Sequence, residues 1–237
     1  MTDAMKIETN GEKSLYFTQA ELEIMMEIAD GPRCLICRAG PPPDDYDLIQ
    51  ALISLYKRGF LENPAGSDRI GPSERGMFFK NLRAAPVTVV LTARRPEESA
   101  AVCYSGNGGI IWLLESISMS ASWETRLRRM ERRRFETWLF DAGILEPPLL
   151  TRTDAQELSA LMGYEDEKDA SRLSDAQIRL RLEKYENGGL LTGAYEILEE
   201  TGVSVARIRE GRGERTEIYT KEALREILDR AFRKGKS

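Results

Sequence analysis

The sequence predicts an α+β protein in which a helical N-terminal module precedes an antiparallel sheet built from two strand-strand-strand-helix units. Apolar runs without helical periodicity, separated by glycine-containing turns, indicate the strands. The same order of runs and helix occurs twice, although few residues are identical between the two copies. The predicted domains are a helical module at 1–84, a three-stranded unit with a long helix at 85–150, and a second such unit at 151–237.

The N-terminal module begins with a short extended run at 15–17 and a Thr18-x-x-Glu21 capping box, which predicts a helix that ends before Gly31-Pro32. Asp44 or Asp45 begins a second helix, and Gly59 ends it. Apolar residues at helical spacing predict that this helix is buried through Leu48, Ile49, Leu52, Ile53 and Tyr56.

A small hairpin is predicted after the second helix, since turn-forming residues 63–68 separate the runs 60–62 and 69–70. Ser73 is predicted to cap a third helix that continues through Leu82. These elements complete the predicted N-terminal module.

The central unit contains three predicted strands, at 87–93, 100–104 and 110–114, and Gly106-Asn-Gly-Gly109 favours a tight turn between the last two. Ser122 stands at an N-cap position and Gly143 at a C-cap position. The stretch between them predicts one long helix, with a broad apolar face formed by Trp123, Leu127, Met130, Phe135 and Trp138.

The C-terminal unit follows a proline-containing linker at 144–151, a short helix at 153–161 and an acidic loop at 163–172. Strict alternation at 178–182 predicts a half-buried strand, and further strands are predicted at 193–198, 203–208 and 215–219. Thr220 is predicted to cap a final helix with a continuous apolar face.

Composition disfavours several classes of function. The chain has 237 residues, a formal net charge of −5, three cysteines and no histidine. The absence of histidine removes the commonest general base and metal ligand, so we expect no enzyme, no cofactor and no metal site. The negative net charge disfavours nucleic acid as a partner. The polar N-terminus and short apolar runs predict a cytoplasmic protein without membrane insertion.

Three short motifs give only weak evidence of a chemical role. Cys34-x-x-Cys37 has the spacing of a redox or zinc motif, but no second pair accompanies it, and buried reduced thiols are the favoured interpretation. Gly106-Asn-Gly-Gly109 and Gly211-Arg-Gly-Glu214 are better explained as hairpin turns than as phosphate-binding loops, because strand-like sequence follows each. None of these motifs predicts a reaction.

The predicted central helix has an arginine-rich face away from its apolar stripe, and this face is the candidate binding site. One interpretation is a solvated face whose guanidinium groups pair with Glu124 and Glu136. The other is a surface for an acidic partner, since arginines bind carboxylates through paired hydrogen bonds. The candidate residues are Arg126, Arg128, Arg129, Arg132 and Arg133.

Residues 15–84 resemble a winged-helix domain of the kind found in bacterial regulators, through the helix ending in Lys57-Arg-Gly-Phe-Leu-Glu62, the hairpin, and Ile70-Gly-Pro-Ser-Glu-Arg-Gly76. Two departures disfavour DNA binding. A proline run replaces the first helix of a helix-turn-helix, and Asp44, Asp45 and Asp47 place carboxylates where a recognition helix approaches phosphates.

Most of the chain resembles the EspG family of type VII secretion-associated proteins, in its helical start, its duplicated sheet units and the C-terminal helix with its lead-in Glu217-Ile-Tyr-Thr-Lys-Glu-Ala-Leu-Arg-Glu-Ile-Leu228. The resemblance implies a pseudo-twofold α+β fold and a non-catalytic chaperone that binds the apolar tip of helical-hairpin secretion substrates. It also implies a contact at residues 94–99. The alternative hypothesis is a winged-helix transcriptional regulator that binds DNA.

Overall fold

A computed structural model describes residues 6–7, 13–28, 42–64, 68–93, 99–105, 109–119, 122–162, 177–186, 189–200 and 203–234. The fold is α+β with antiparallel strands, as predicted. Within the described ranges, no helix is both long enough and apolar enough to cross a membrane. The Cys34-x-x-Cys37 motif, the acidic loop at 163–172 and residues 94–98 of the predicted contact lie outside the described residues.

The described strands are β1 (Lys6–Ile7), β2 (Lys13–Thr18), β3 (Leu61–Glu62), β4 (Gly71–Pro72), β5 (Val87–Ala93), β6 (Ser99–Ser105), β7 (Ile110–Met119), β8 (Ser122–Glu131), β9 (Gln177–Glu186), β10 (Leu190–Glu200), β11 (Val203–Glu210) and β12 (Gly213–Ile218). The helices are α1 (Gln19–Ile28), α2 (Asp45–Lys57), α3 (Phe78–Arg83), α4 (Arg132–Asp141), α5 (Arg152–Met162) and α6 (Lys221–Phe232). The chain forms two compact units from interleaved segments. Unit 1 contains Met1–Pro86 and Ala101–Glu131, and unit 2 contains Val87–Ala100 and Arg132–Ser237. These segments do not coincide with the predicted domain ranges.

The helical part of unit 1 follows the predicted order of helix, helix, hairpin and helix. The Thr18 capping box is confirmed: the Glu21 backbone N–H donates to Thr18 Oγ1 at 3.1 Å, and the Thr18 N–H donates to Glu21 Oε2 at 3.0 Å. The hairpin is also confirmed, with β3 paired to β4. The predicted start of the third helix is wrong, because the Ser73 hydroxyl accepts from the Gly76 N–H in a preceding turn and α3 begins at Phe78.

The sheet of unit 1 has the strand order β1-β2-β8-β7-β6, and its pairings are antiparallel. One face of this sheet contacts an aromatic core. Phe17 packs edge-on against the rings of Phe60 and Phe79, with centroids 5.3 Å apart in both cases. Phe78 stacks on Trp112 of β7 at 5.6 Å. The helical module and the sheet therefore share one core.

The predicted long helix beginning at Ser122 is wrong in its first half. Residues Ser122–Glu131 form β8, and the helix begins only at Arg132. β8 lies between β2 and β7 and pairs with both, so its backbone groups form inter-strand hydrogen bonds on two sides. This pairing overrides a local spacing that fits a helix equally well. The first predicted unit consequently has four strands before its helix rather than three.

The sheet of unit 2 has the order β5-β9-β10-β11-β12, again with antiparallel pairings. Its strands and the short helix α5 confirm the elements predicted at 87–93, 153–161, 178–182, 193–198, 203–208 and 215–219. Gly211 adopts φ +57° between the paired residues Glu210 and Gly213, which confirms a tight hairpin turn rather than a phosphate loop.

Helix α6 covers one face of the unit 2 sheet. As predicted, Thr220 caps this helix, since its Oγ1 accepts from the Ala223 N–H at 3.1 Å. The apolar face of α6 is buried, and Phe232 packs edge-on against Phe135 of α4 at 5.0 Å. The sheet contributes the buried core residues Leu180, Leu182, Tyr195, Ile197, Ala206 and Ile208.

The two units share one arrangement in a different chain order. In unit 1 the adjacent strands β6, β7, β8 and β2 correspond to β9, β10, β11 and β12 of unit 2. The fourth strand of each set leads through a threonine cap, Thr18 or Thr220, into a helix. In unit 2 this strand and helix follow the other three strands in sequence, whereas in unit 1 they precede them.

Candidate binding surfaces

Helix α2 has well-defined ends. Asp44 and Asp47 form a reciprocal capping box, in which the Asp47 N–H donates to Asp44 Oδ1 at 2.8 Å and the Asp44 N–H donates to Asp47 Oδ2 at 3.2 Å. Gly59 follows the helix with φ +71°, a conformation that glycine adopts without strain. The predicted start and end of this helix are therefore confirmed.

The buried face of α2 differs from the predicted one. Ala51 and Leu55 are buried, whereas the predicted core residues Ile49, Ile53 and Tyr56 are exposed. The rotation of α2 follows its polar anchors, because Ser54 donates to Glu21 of α1 at 2.6 Å. The buried carboxylate and the side chains that satisfy it decide which face of α2 contacts α1.

The anchor that holds α2 is a buried ion pair. Arg58 Nη1 donates to both carboxylate oxygens of Glu21, at 2.8 and 2.9 Å, and Nη2 donates to the Tyr16 carbonyl at 2.6 Å. The guanidinium also lies 5.0 Å from the ring centroid of Phe17 and 5.1 Å from that of Phe60. The C-terminal end of α2 is thus fixed to α1 and β2.

An apolar stripe on α2, which we call the α2 stripe, faces solvent and consists of Tyr46, Ile49, Ile53 and Tyr56. The exposed fractions of these residues are 68%, 54%, 43% and 49%. Apolar side chains that are exposed together along one side of a helix are candidates for an interaction site. The α2 stripe is therefore the first candidate binding surface.

The charges around the α2 stripe are unequal at its two ends. Asp44, Asp45 and Asp47 are exposed at the N-terminal end, and Lys57 is exposed at the C-terminal end. Carboxylates near a helix N-terminus favour helix formation, but they repel the phosphates of DNA. The surface of α2 therefore suits a protein partner better than a DNA groove.

The five arginines of the predicted binding face lie on two elements rather than on one helix. Arg126, Arg128 and Arg129 belong to β8, and Arg129 projects from the face opposite to the other two because side chains alternate along a strand. Arg132 and Arg133 belong to α4, where Arg132 pairs with Asp229 of α6 and Arg133 is exposed.

Two of these arginines share one carboxylate in the unit 1 sheet. Glu115 of β7 accepts from Arg126 Nε at 3.0 Å and from Arg128 Nη2 at 3.0 Å. Leu127, between the two arginines, is buried. Arg126 and Arg128 therefore pair with Glu115 of the adjacent strand, a partner different from the predicted Glu124 and Glu136.

Unit 2 contains a matching cluster that was not predicted from the sequence. Glu196 of β10 is fully buried and accepts from Arg181 Nε at 2.7 Å, Arg207 Nε at 2.7 Å and Arg209 Nη2 at 2.9 Å. Burial opposes ionisation of Glu196, but the hydrogen bonds from Arg207 and Arg181 hold the pKa of this carboxyl below its ordinary value.

Both clusters have the sequence pattern Glu-x10-Arg-x-Arg. In each unit the glutamate lies on the second strand of the shared arrangement, and the two arginines lie on the third. In each unit the first arginine, eleven residues after the glutamate, donates through Nε. This spacing was a signal in the sequence, but it was hidden because residues 122–131 had the spacing of a helix.

A further network fixes α6 to its sheet. Tyr195 donates to Glu210 at 2.6 Å, Arg230 of α6 donates to Glu210 at 2.6 Å, and Arg230 also donates to Glu226 at 3.0 Å. Burial, followed by the hydrogen bond to Glu210, raises the pKa of the Tyr195 hydroxyl. Glu226 also pairs with Arg152 and Arg215. Glu217 completes the network by pairing with Arg152 and Arg215. The network therefore contains three arginines and three glutamates, whose charges balance, and we assign it a structural role.

Metal ligands do not converge in the described part of the chain, where no group of three or more histidine, cysteine, aspartate or glutamate residues could hold an ion. No family model and no curated protein matches this chain. The function is therefore inferred from surface geometry and charge.

Proposed function

We propose that this chain is a non-catalytic cytosolic protein-binding protein, and that the α2 stripe binds an amphipathic helix of another protein. The observation that carries the proposal is the exposure of Tyr46, Ile49, Ile53 and Tyr56 on one side of a helix that is fixed at its far end by Arg58 and Glu21. A rigid helix with an apolar stripe presents anchors to a partner helix at low entropic cost.

The charges beside the α2 stripe specify the partner further. A helix that packs along α2 meets three carboxylates at one end, Asp44, Asp45 and Asp47, and Lys57 at the other. We expect a partner with aliphatic or aromatic residues at helical spacing and with lysine or arginine opposite the aspartates. Such charge complementarity sets orientation and association rate more than affinity.

We further propose that residues 15–84 form a winged-helix-like module and that the chain is a chaperone for helical-hairpin substrates of type VII secretion. The order α1, α2, hairpin β3-β4 and α3 supports the first assignment. The related arrangements of the two units support the pseudo-twofold pattern implied by the EspG resemblance. The α2 stripe also suits an amphipathic helix of the kind that a helical hairpin provides.

DNA binding is the rival function, since a helix before a hairpin holds the recognition position in a winged helix. In the described chain that helix is α2, whose exposed surface presents three carboxylates, the α2 stripe and a single lysine. A DNA-binding helix needs cations near phosphates and polar groups toward base edges. We therefore rank protein binding above DNA binding.

The test is co-expression of the chain with helical-hairpin proteins encoded next to it, followed by size-exclusion chromatography and calorimetric titration of the purified pair. We expect a stable complex with one such neighbour, and we expect Ile49→Asp and Ile53→Asp each to weaken it by about tenfold or more. Leu190→Asp is the matched control, because Leu190 is an aliphatic residue of unit 2 with an exposed fraction of 64%.

Two outcomes would contradict the proposal. One is a complex that tolerates both α2 substitutions as well as it tolerates Leu190→Asp. The other is the absence of a complex with any adjacent helical-hairpin protein, together with tight, salt-sensitive binding of the chain to its own upstream DNA in a gel-shift assay.

A further inference from the structure

The α2 stripe has the same order of residue types and the same spacing in both directions along the helix. Its residues are Tyr46, Ile49, Ile53 and Tyr56, separated by three, four and three positions. The midpoint of the stripe is Ala51, which is buried on the side of α2 that faces the protein core. Both the residue types and their spacing are therefore symmetric about one position.

Helix geometry places this symmetric pattern on a single arc. Each residue advances about 100° around an α-helix, so the four side chains fall within an arc of about 80° directly opposite Ala51. A two-fold axis that passes through the middle of this arc, perpendicular to α2, brings each residue to the mirrored position on a second helix. The stripe is thus complementary to itself.

We infer that the α2 stripe binds the α2 stripe of a second copy of this chain, with the two helices antiparallel. In this isologous contact Tyr46 meets Tyr56 of the second copy, and Ile49 meets Ile53 of the second copy. Each contact occurs twice, so eight apolar side chains that are exposed in one chain become mutually covered.

The charges at the ends of α2 select the antiparallel orientation. Asp45 lies six positions before Ala51, and Lys57 lies six positions after it. Both residues are exposed. The two-fold axis therefore brings Asp45 opposite Lys57 of the second copy at both ends of the contact. A parallel arrangement would instead bring the aspartates of the two chains together, which repels.

The size of the contact predicts a weak dimer. Four side chains from each copy form an interface at the low end of the range for specific complexes, below about 1,200 Å² in total. We expect association in the micromolar range, so that chains with a free stripe persist and self-association competes with the proposed partner. The inference rests on the proposed function only in that both use the α2 stripe.

The test uses the purified full chain alone, in sedimentation velocity and equilibrium experiments from about 1 to about 300 μM, a range that brackets micromolar association. We expect a concentration-dependent monomer–dimer equilibrium. Ile53→Asp should weaken the dimer by about tenfold or more, because it buries an unpaired carboxylate against Ile49 of the second copy. Leu190→Asp should leave the equilibrium unchanged.

Charge exchange tests the orientation. Asp45→Lys and Lys57→Asp should each weaken the dimer at low salt, by about tenfold, because each brings like charges together at both ends. The double variant Asp45→Lys/Lys57→Asp restores opposite charges and should restore the dimer. Asp45→Lys also removes a favourable charge at the start of α2, so circular dichroism is needed to show that this variant folds. Recovery of the dimer in the double variant then shows that the loss in the single variant came from the charge contact.

Three results would overturn the inference: a monomer at every concentration, a dimer unaffected by Ile53→Asp, or a double variant no stronger than either single variant. The result is separable from the proposed function. A chain that stays monomeric but captures a neighbouring helical-hairpin protein refutes only the dimer, whereas a dimer that captures no such protein refutes only the proposed function.

Discussion

Arg58 donates from one guanidinium nitrogen to both oxygens of Glu21, at 2.8 and 2.9 Å, and thereby joins the end of α2 to the start of α1. Both side chains are largely buried. Glu21 also accepts from the Thr18 N–H and the Ser54 hydroxyl. One carboxylate therefore caps α1, sets the rotation of α2 and determines which residues of α2 face solvent.

Arg58→Met is predicted to destabilise unit 1 by about 3 kcal/mol, because it leaves the Glu21 carboxylate buried without its counter-charge. Urea unfolding followed by circular dichroism measures the change. Arg133→Met, on the exposed surface of α4, should change stability by no more than about 0.5 kcal/mol. The double variant Glu21→Gln/Arg58→Met should be more stable than Arg58→Met. Equal losses for Arg58→Met and Arg133→Met would refute the role of this ion pair.

Gly193→Ala is predicted to destabilise unit 2 by about 1–3 kcal/mol through overpacking. A β-carbon at Gly193 would lie 2.8 Å from the Tyr195 hydroxyl oxygen and 3.0 Å from Cζ of the same ring. Tyr195 is fully buried and bonded to Glu210, so it has little room to shift. Gly213→Ala is the matched control, because its β-carbon would meet only the Glu210 carbonyl, at 3.5 Å. Similar unfolding midpoints for the two variants would show that Tyr195 moves freely.

Stability is predicted to fall as the pH rises above about 10, where unfolded tyrosines ionise. Burial raises the pKa of Tyr195 and of Tyr219, so the folded state keeps both protons when the unfolded state releases them. The contribution is fully present below the unfolded pKa and is lost progressively above it. Urea unfolding at several pH values between about 8 and 11 measures the slope, which should be shallower for Tyr195→Phe/Tyr219→Phe. Identical slopes would contradict the prediction.

Glu196→Gln is predicted to reduce stability at neutral pH by about 2–4 kcal/mol, since three guanidinium groups lose their shared buried carboxylate. The lowered pKa of Glu196 means that its stabilising contribution is present above the unfolded value of about 4.3 and is lost as the pH falls through the folded value. The variant should therefore show a flatter stability profile between about pH 3 and 6. Glu214→Gln, at an exposed position of β12, should retain the wild-type profile.

Local signals predicted the elements that have clear ends. Helix α6 begins at a threonine cap and carries one apolar face, and β5 is a β-branched run that cannot be mistaken for an amphipathic helix. In these elements the local preference and the tertiary environment agree, so spacing alone was sufficient.

Two errors arose where a distant contact decides between local alternatives. Trp123, Leu127 and Met130 fit helical spacing, while the alternation of Thr125 and Leu127 with Arg126 and Arg128 fits a strand. Pairing with β2 and β7 selects the strand. In α2 the apolar spacing predicted the wrong buried face, because the contact with Glu21 lies more than thirty residues away in sequence.

Glu-x10-Arg-x-Arg recurs in two units whose corresponding elements differ in chain order only by the position of one strand and its helix. A chain rearranged so that residues 13–28 followed residue 131 would run through its strands and helix in the order that unit 2 already has. The two units are thus related as circular permutants of one strand-and-helix arrangement.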